Sequence, residues 1–254
     1  VNIEPVLILS GFAFLAGLMD AIAGGGGLIL VPALFAVFPD VSPATLLGTN
    51  KLSSIAGTFV ATLRYGFSVP IDWRRILPAA LCAGIGAVLG AKTVTLLDPS
   101  VLRPAIVVLL VLVAAYTLLR PGMGIRPTGN ESVPPPVWLM PALATLAGFY
   151  DGFFGPGAGS FMIFGLVRWF GYDFLRAAAA AKVLNFSTNF GAVVLFAVTG
   201  NILYLVALPL AACSIAGALI GSHLAIRRGA PLIRAAFLAV VLALVAKIAW
   251  DWLR

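Results

Sequence analysis

Apolar runs dominate the chain, separated by short polar or glycine-rich breaks. They fall at about 6–23, 28–38, 44–63, 76–97 and 101–119, and again at about 137–154, 161–170, 175–198, 202–226 and 232–252. Most are close to the roughly 20 residues of helix that cross a hydrocarbon core. No stretch alternates apolar and polar positions with period two, so helices rather than a barrel must satisfy the backbone in lipid. The pattern predicts an all-α polytopic membrane protein. The second run of each set, at about 10 residues, would be only roughly 15 Å long, half of a bilayer. It is expected to form a re-entrant or broken helix hairpin with the run before it, turning at a glycine tract.

The two sets are copies of one another at a fixed offset of 131 residues, with no insertion needed. The offset matches Gly17 with Gly148, Asp20 with Asp151, Gly24 with Gly155, Gly26 with Gly157, Lys51 with Lys182, Pro78 with Pro209, Cys82 with Cys213, and Arg103 with Arg234. The expected organisation is a first membrane repeat at 1–120, a Pro/Gly-rich cytoplasmic linker at 121–136, and a second membrane repeat at 137–254. An odd number of crossings per copy forces the second copy to enter from the opposite face, so two inverted five-segment repeats are predicted. Arginine placement tests this independently, because cytoplasmic loops carry excess Lys and Arg. Arg64, Arg74 and Arg75 surround the loop after the third run, whereas its counterpart Thr199-Gly200-Asn201 has no basic residue. Placing these arginines inside, with Arg168, Arg176, Arg227, Arg228 and Arg234, leaves both termini outside.

Composition agrees with lipid as the solvent: 61% of residues are hydrophobic and 10% charged, with a mean hydropathy of +1.09. A soluble domain has about 25% charged residues. The net charge of +7 then belongs to loops rather than to a nucleic-acid surface, and no nucleic acid is expected as partner. The run at 6–16 has the length of a leader's apolar core but lacks a basic flank and recurs at 137–147, so it reads as a membrane segment. Cys82 and Cys213 read as small core residues, and with His223 the only histidine a His-based metal site is not expected.

Chemistry concentrates in a few polar residues at membrane depth. Asp20 precedes the tract Gly24-Gly25-Gly26-Gly27, and Asp151 precedes Gly155-Pro156-Gly157-Ala158-Gly159. Each glycine costs a helix roughly 1 kcal/mol relative to alanine, so the helix must break at both places. The helix that restarts after a break has N–H groups without internal partners and a dipole that favours negative charge. Gly25, Gly26 and Gly27, with Gly157, Ala158 and Gly159, are therefore candidates for a backbone anion cradle; close helix packing is the other reading of such glycines. Lys51 and Lys182 are the buried cations. Polar neighbours share their helices: Asn50 and Ser54 in the first copy, and Asn185, Thr188 and Asn189 in the second. The spacing stacks Lys51 with Ser54, and Lys182 with Asn185 and Asn189. Intramembrane charges default to function, so these residues are candidates for substrate binding, with pairing between helices as the alternative. Asp20 and Asp151 either neutralise the lysines, cap the re-entrant helices, or carry protons.

These motifs resemble the TauE/SafE family of sulfite exporters in the wider TSUP transporter group. The resemblance covers nearly the whole chain. It rests on the tract Gly17-Leu18-Met19-Asp20 to Gly27, on Gly48-Thr49-Asn50-Lys51, and on their second-half echoes at 148–159 and 182–185. It implies a secondary transporter that exports a small sulfur-containing anion, sulfite or an organosulfonate such as sulfoacetate, by alternating access. An anion channel of the same fold is the rival. Ala179-Ala180-Ala181 before Lys182 departs from Thr49-Asn50 before Lys51, so the two half-sites are expected to differ. No cofactor motif, metal set or catalytic triad is visible, so no cofactor and no enzyme activity are expected. The expected partners are a small anion, the lipid bilayer and, as a further option, a second copy in a homodimer.

Overall fold

The computed structural model describes residues 3–102, scattered positions between 104 and 112, and 136–229. Residues 99–102 and the positions described between 104 and 112 are helical, and eight helices have both ends among the described residues: α1 Ile3–Ala23, α2 Gly27–Val37, α3 Pro43–Ser68, α4 Trp73–Leu96, α5 Leu139–Phe153, α6 Ala158–Phe170, α7 Phe174–Val198 and α8 Tyr204–Arg228. They coincide with eight of the ten predicted runs; most of 101–119, the linker at 121–136 except its last residue, and 232–252 lie outside the described residues. Glu4–Ala23, α4, α7 and α8 are long and apolar enough to cross a membrane. The short runs are short helices of 11 and 13 residues, α2 and α6.

Local signals set the helix ends. Ser42 accepts a hydrogen bond from the Thr45 N–H at 3.2 Å, and its equivalent Asp173 accepts from Leu175 and Arg176 at 3.1 and 3.0 Å, so α3 and α7 start on matching N-caps. α3 runs five residues past the predicted end at 63. Its extra turn is held by Arg64, which donates to the Leu219 carbonyl at 3.0 Å, and by Tyr65, whose hydroxyl donates to the Ala21 carbonyl at 3.0 Å.

The helices are packed with small residues inside and large ones outside. α4 buries Ala79, Ala83, Gly86, Ala87 and Gly90, while Leu77, Leu81, Ile85 and Leu89 form an exposed stripe. In water that arrangement would be costly, whereas lipid gives leucine no reason to hide and leaves close contact between small residues as the source of cohesion.

α1 packs on α8 and α5 on α4, and the contacts are reciprocal at the offset of 131. Gly17 faces the backbone of Ser214 and Gly148 that of Ala83; Gly217 faces Phe14 and Gly86 faces Thr145; Gly221 faces Leu18 and Gly90 faces Phe149. Every residue of these three pairs of contacts is replaced by its repeat equivalent, the signature of a two-fold self-complementary interface.

The loops sort to two ends. Around one end Val69, Ile71, Phe170, Tyr172, Phe174 and Ile226 join one apolar cluster, bringing together the helix ends that bear Arg74, Arg75, Arg168, Arg176, Arg227 and Arg228. At the other, Thr45 donates to Asn201 Oδ1 at 3.2 Å and the Leu203 N–H donates to Thr49 at 3.0 Å, joining the start of α3, next to the loop at 38–42, to the loop at 199–203.

A Cβ on Gly152 would lie 2.0 Å from the Ala87 carbonyl oxygen, and one on Gly11 would meet nothing within 4 Å. Gly152→Ala should therefore lower the thermal midpoint in detergent, by the equivalent of about 1–3 kcal/mol of overpacking, and Gly11→Ala should leave it unchanged. Equal midpoints for the two variants would contradict this packing.

Candidate functional site

The two helix breaks meet in the middle of the molecule. Gly24 at φ +75°, Gly155 at φ +94° and Gly157 at φ +81° occupy backbone that L side chains rarely adopt, which is why the tracts need glycine there. A Cβ on Gly24 would come within 2.4 Å of the Gly159 backbone, and one on Gly27 within 3.2 Å of Pro156. The Ser160 hydroxyl donates to the Ala23 carbonyl at 2.6 Å, stitching the second break to the first. Gly26 is closed off by the Ala16 carbonyl at 2.6 Å and Asp20 Cβ at 2.8 Å, while Gly25 has open space apart from Leu28. Most of the glycines thus permit backbone contact between and within the breaks.

The buried charges pair across the two copies. Lys51 Nζ lies 2.7 Å from Asp151 Oδ1, and Lys182 Nζ lies 3.1 Å from Asp20 Oδ2 and also donates to the Asp20 carbonyl. Each lysine therefore neutralises the aspartate of the other half. Both ammonium groups are sealed, with side-chain exposures of 3% and 1%. Of the readings open for Asp20 and Asp151, this geometry realises neutralisation.

Asn185, Thr188 and Asn189 are buried around the first of these pairs. Thr188 donates its hydroxyl to Asp151 Oδ2, Asn189 Oδ1 accepts from Lys51 at 3.2 Å, and Asn189 Nδ2 donates to Asn185 Oδ1 at 2.6 Å. The helical spacing assigned Asn185 and Asn189 to Lys182, on their own helix. Packing of α3 against α7 gives Asn189 to Lys51 instead, because the lysine reaches across the interface.

The second pair is furnished differently. The repeat equivalents of Asn185, Thr188 and Asn189 are Ser54, Gly57 and Thr58, so α3 itself offers no hydroxyl where Thr188 serves Asp151; the Ser214 hydroxyl of α8 lies beside Gly57 instead, 2.4 Å from where a Cβ would stand. Asp20 Oδ1 has no hydrogen-bond partner among the described residues. The Asp20 side chain is 18% exposed against 4% for Asp151. It borders a cavity about the size of one water, which Gly26, Ser54, Gly57, Thr58 and Ser214 also line. Ser214 is 4% exposed, and its hydroxyl makes no hydrogen bond among the described residues. Asn50 Oδ1 and Ser53 Oγ are buried without hydrogen-bond partners among the described residues. Leaving such groups unsatisfied costs about 1–3 kcal/mol each.

The sequence reading missed Ser53, Thr58 and Ser214 as site residues. Thr58 stands at the position equivalent to Asn189, a signal that comparison of the copies could have used. Ser214 follows Cys213 in an apolar run, and nothing in its neighbours sets it apart. Among the described residues no group of His, Cys, Asp and Glu has the makings of a metal site.

Residues 9–248 match the family model described as sulfite exporter TauE/SafE. A "probable membrane transporter protein ORF9" from Sinorhizobium is 39% identical over 94% of this chain and 90% of its own length. A probable membrane transporter protein of Haemophilus influenzae is 34% identical over 99% of this chain and 97% of its own. The probable membrane transporter protein YfcA of Escherichia coli is 34% identical over 98% and 92%. No solved structure matches the chain.

Removing one partner of a buried ion pair strands the other, at a cost of about 3–5 kcal/mol. Lys51→Met should destabilise by that order, and Asp151→Asn added to it should recover much of the loss. Asp20→Asn added to Lys51→Met should recover nothing. Denaturation of the three variants in detergent checks the crossed pairing, and recovery by Asp20→Asn would refute it.

Proposed function

The chain belongs to the TauE/SafE sulfite exporter family, and from that premise we propose that it is a secondary transporter moving a small sulfur-containing anion, sulfite or an organosulfonate such as sulfoacetate, out across the bacterial inner membrane. The observation that carries the reading is the pair of sealed lysines beside two meeting helix breaks. Two cations kept at membrane depth are costly and are retained where a charged solute must pass. Broken helices at the centre of the membrane are where transporters of this kind bind their load.

In this proposal Lys51 and Lys182 are the counter-charges. Asn50, Ser54, Asn185, Thr188 and Asn189 supply hydrogen bonds. The N–H groups at Gly25, Gly26 and Gly27, and at Gly157 and Gly159, face the anion once the breaks separate, and that of Ala158 joins them on leaving the Gly155 carbonyl, to which it donates at 3.0 Å. The unpartnered oxygens of Asn50 and Ser53 support such a movement, since they need a second arrangement in which to be satisfied. The carboxylates now hold the lysines, so the proposed site is occluded and the load must displace them.

The halves are proposed to be inverted repeats, 1–120 and 137–254, joined by the linker at 121–136. Reciprocal glycine contacts support this, as does the loop at 69–72 lying at the opposite end from its equivalent at 199–203. Arginines gathered at one end support a cytoplasmic assignment for that end, with both termini in the periplasm. Movement of one half against the other would open the site to each side in turn. The partners of this scheme are the anion and the bilayer, with a homodimer compatible with it and no nucleic acid or catalytic step required.

Purified protein in proteoliposomes should move sulfite or a short sulfonate with saturation and counterflow. Lys182→Ala should reduce that flux at least tenfold. Gly26→Val should block it by forcing a side chain against the Ala16 carbonyl. Large unitary currents in a bilayer recording would instead identify the anion channel, and normal flux in both variants would remove these residues from the path.

A further inference from the structure

The four buried charges of the two pairs sum to zero. An anion drawn in beside them, as the function proposed above requires, leaves a net negative charge away from water. A second change must compensate it, because an unbalanced charge in such surroundings is heavily penalised. The unequal furnishing of the two pairs indicates where the change occurs.

At Asp151 both carboxylate oxygens are engaged, Oδ1 by Lys51 and Oδ2 by Thr188. At Asp20 only Oδ2 is engaged, by Lys182, and the carboxylate borders the water-sized cavity. Ser54, Thr58 and Ser214 line that cavity, and Thr58 donates its own proton to the Ser54 carbonyl at 2.6 Å. The free rotors of Ser54 and Ser214 can turn as donors or acceptors toward a water beside Asp20. The titratable groups facing Asp20 are Lys182 from α7 and Tyr65 from α3, the tyrosine donating to the Ala21 carbonyl; α8 presents Ser214 and α2 the Gly26 backbone.

We propose that Asp20 is the proton carrier of this transporter: it takes one proton through the adjoining cavity as the anion binds, and each cycle moves one proton with one monovalent anion. The proton adds to a carboxylate oxygen to give a neutral acid, and it returns to water when the anion leaves on the other side. No bond to the anion forms. Protonation removes the counter-charge of Lys182, and the ammonium then serves the anion. The loaded core is again neutral, so the membrane potential neither drives nor opposes the loaded step, and the concentration and pH differences set the direction. A metal cation would instead sit beside the Lys182 ammonium in a space made for one water, adding charge where the core already has a cation.

The test uses methanesulfonate, whose single charge does not change between pH 5 and 8. With one linked proton, affinity of the purified protein for it should rise about tenfold for each unit fall in pH over the range where Asp20 is ionised. In proteoliposomes one proton should accompany each anion, with no net current and no need for sodium. Asp20→Asn, which imitates the protonated form, should bind methanesulfonate equally at pH 6 and pH 8. A wild-type affinity indifferent to pH, one charge carried per anion, a sodium requirement, or an Asp20→Asn variant with the wild-type slope would each overturn the proposal. If that variant does not fold, the wild-type slope and proton count decide. If neither sulfite nor methanesulfonate moves at all, the transport function falls and this inference with it; if they move without protons, only this inference falls.

Discussion

The exchange of lysine partners between the halves is the interaction on which the rest depends. A lysine or an aspartate alone at this depth could not remain charged without large cost, and a pair within one half would bind nothing else. Lys51 with Asp151 and Lys182 with Asp20 make each half the other's electrical complement. The same contacts tie α3 to α5 and α7 to α1, each across the halves and each one helical turn before a glycine break, so charge neutrality and tertiary assembly are one requirement.

The surrounding packing follows from lipid as solvent. With no gain from hiding leucine, cohesion comes from backbones brought close together, and glycines at 17, 86, 90, 148, 152, 217 and 221 each face the main chain of a neighbouring helix. Such surfaces are smooth. Little side-chain interlock opposes the sliding of one half on the other, which is the freedom that an alternating transporter of the proposed kind needs. The charged pairs and the stitched breaks would then act as the latch, and the proposed anion as what releases it.

Duplication supplied two equal half-sites, and a few substitutions made them unequal. Thr188 facing Asp151 where Gly57 stands on the Asp20 side is the decisive one. With that hydroxyl absent from α3, Asp20 Oδ1 has no hydrogen-bond partner among the described residues and a water-sized space borders the carboxylate. In the proposed cycle the Asp20 pair is thereby the one fitted for exchange, a difference between the half-sites that a symmetric dimer of single repeats could not have.

The sequence alone located the eight helices whose ends are described, the breaks between them and the duplication. Apolar runs, glycine tracts and an unbroken offset are local or linear signals, and the N-caps Ser42 and Asp173 began their helices as sequence rules require. It also exposed Asp20, Lys51, Asp151 and Lys182, because charge inside an apolar run stands out wherever the helix finally packs. Only the tertiary structure decided which lysine meets which aspartate, and that Asn189 serves Lys51 rather than the lysine of its own helix. Helical spacing orders neighbours along one helix face, whereas partners across an interface depend on how far two helices slide and rotate together. The lone hydroxyl of Ser214 and the space beside Asp20 arise from that same registration, which has no trace in the order of residues along the chain.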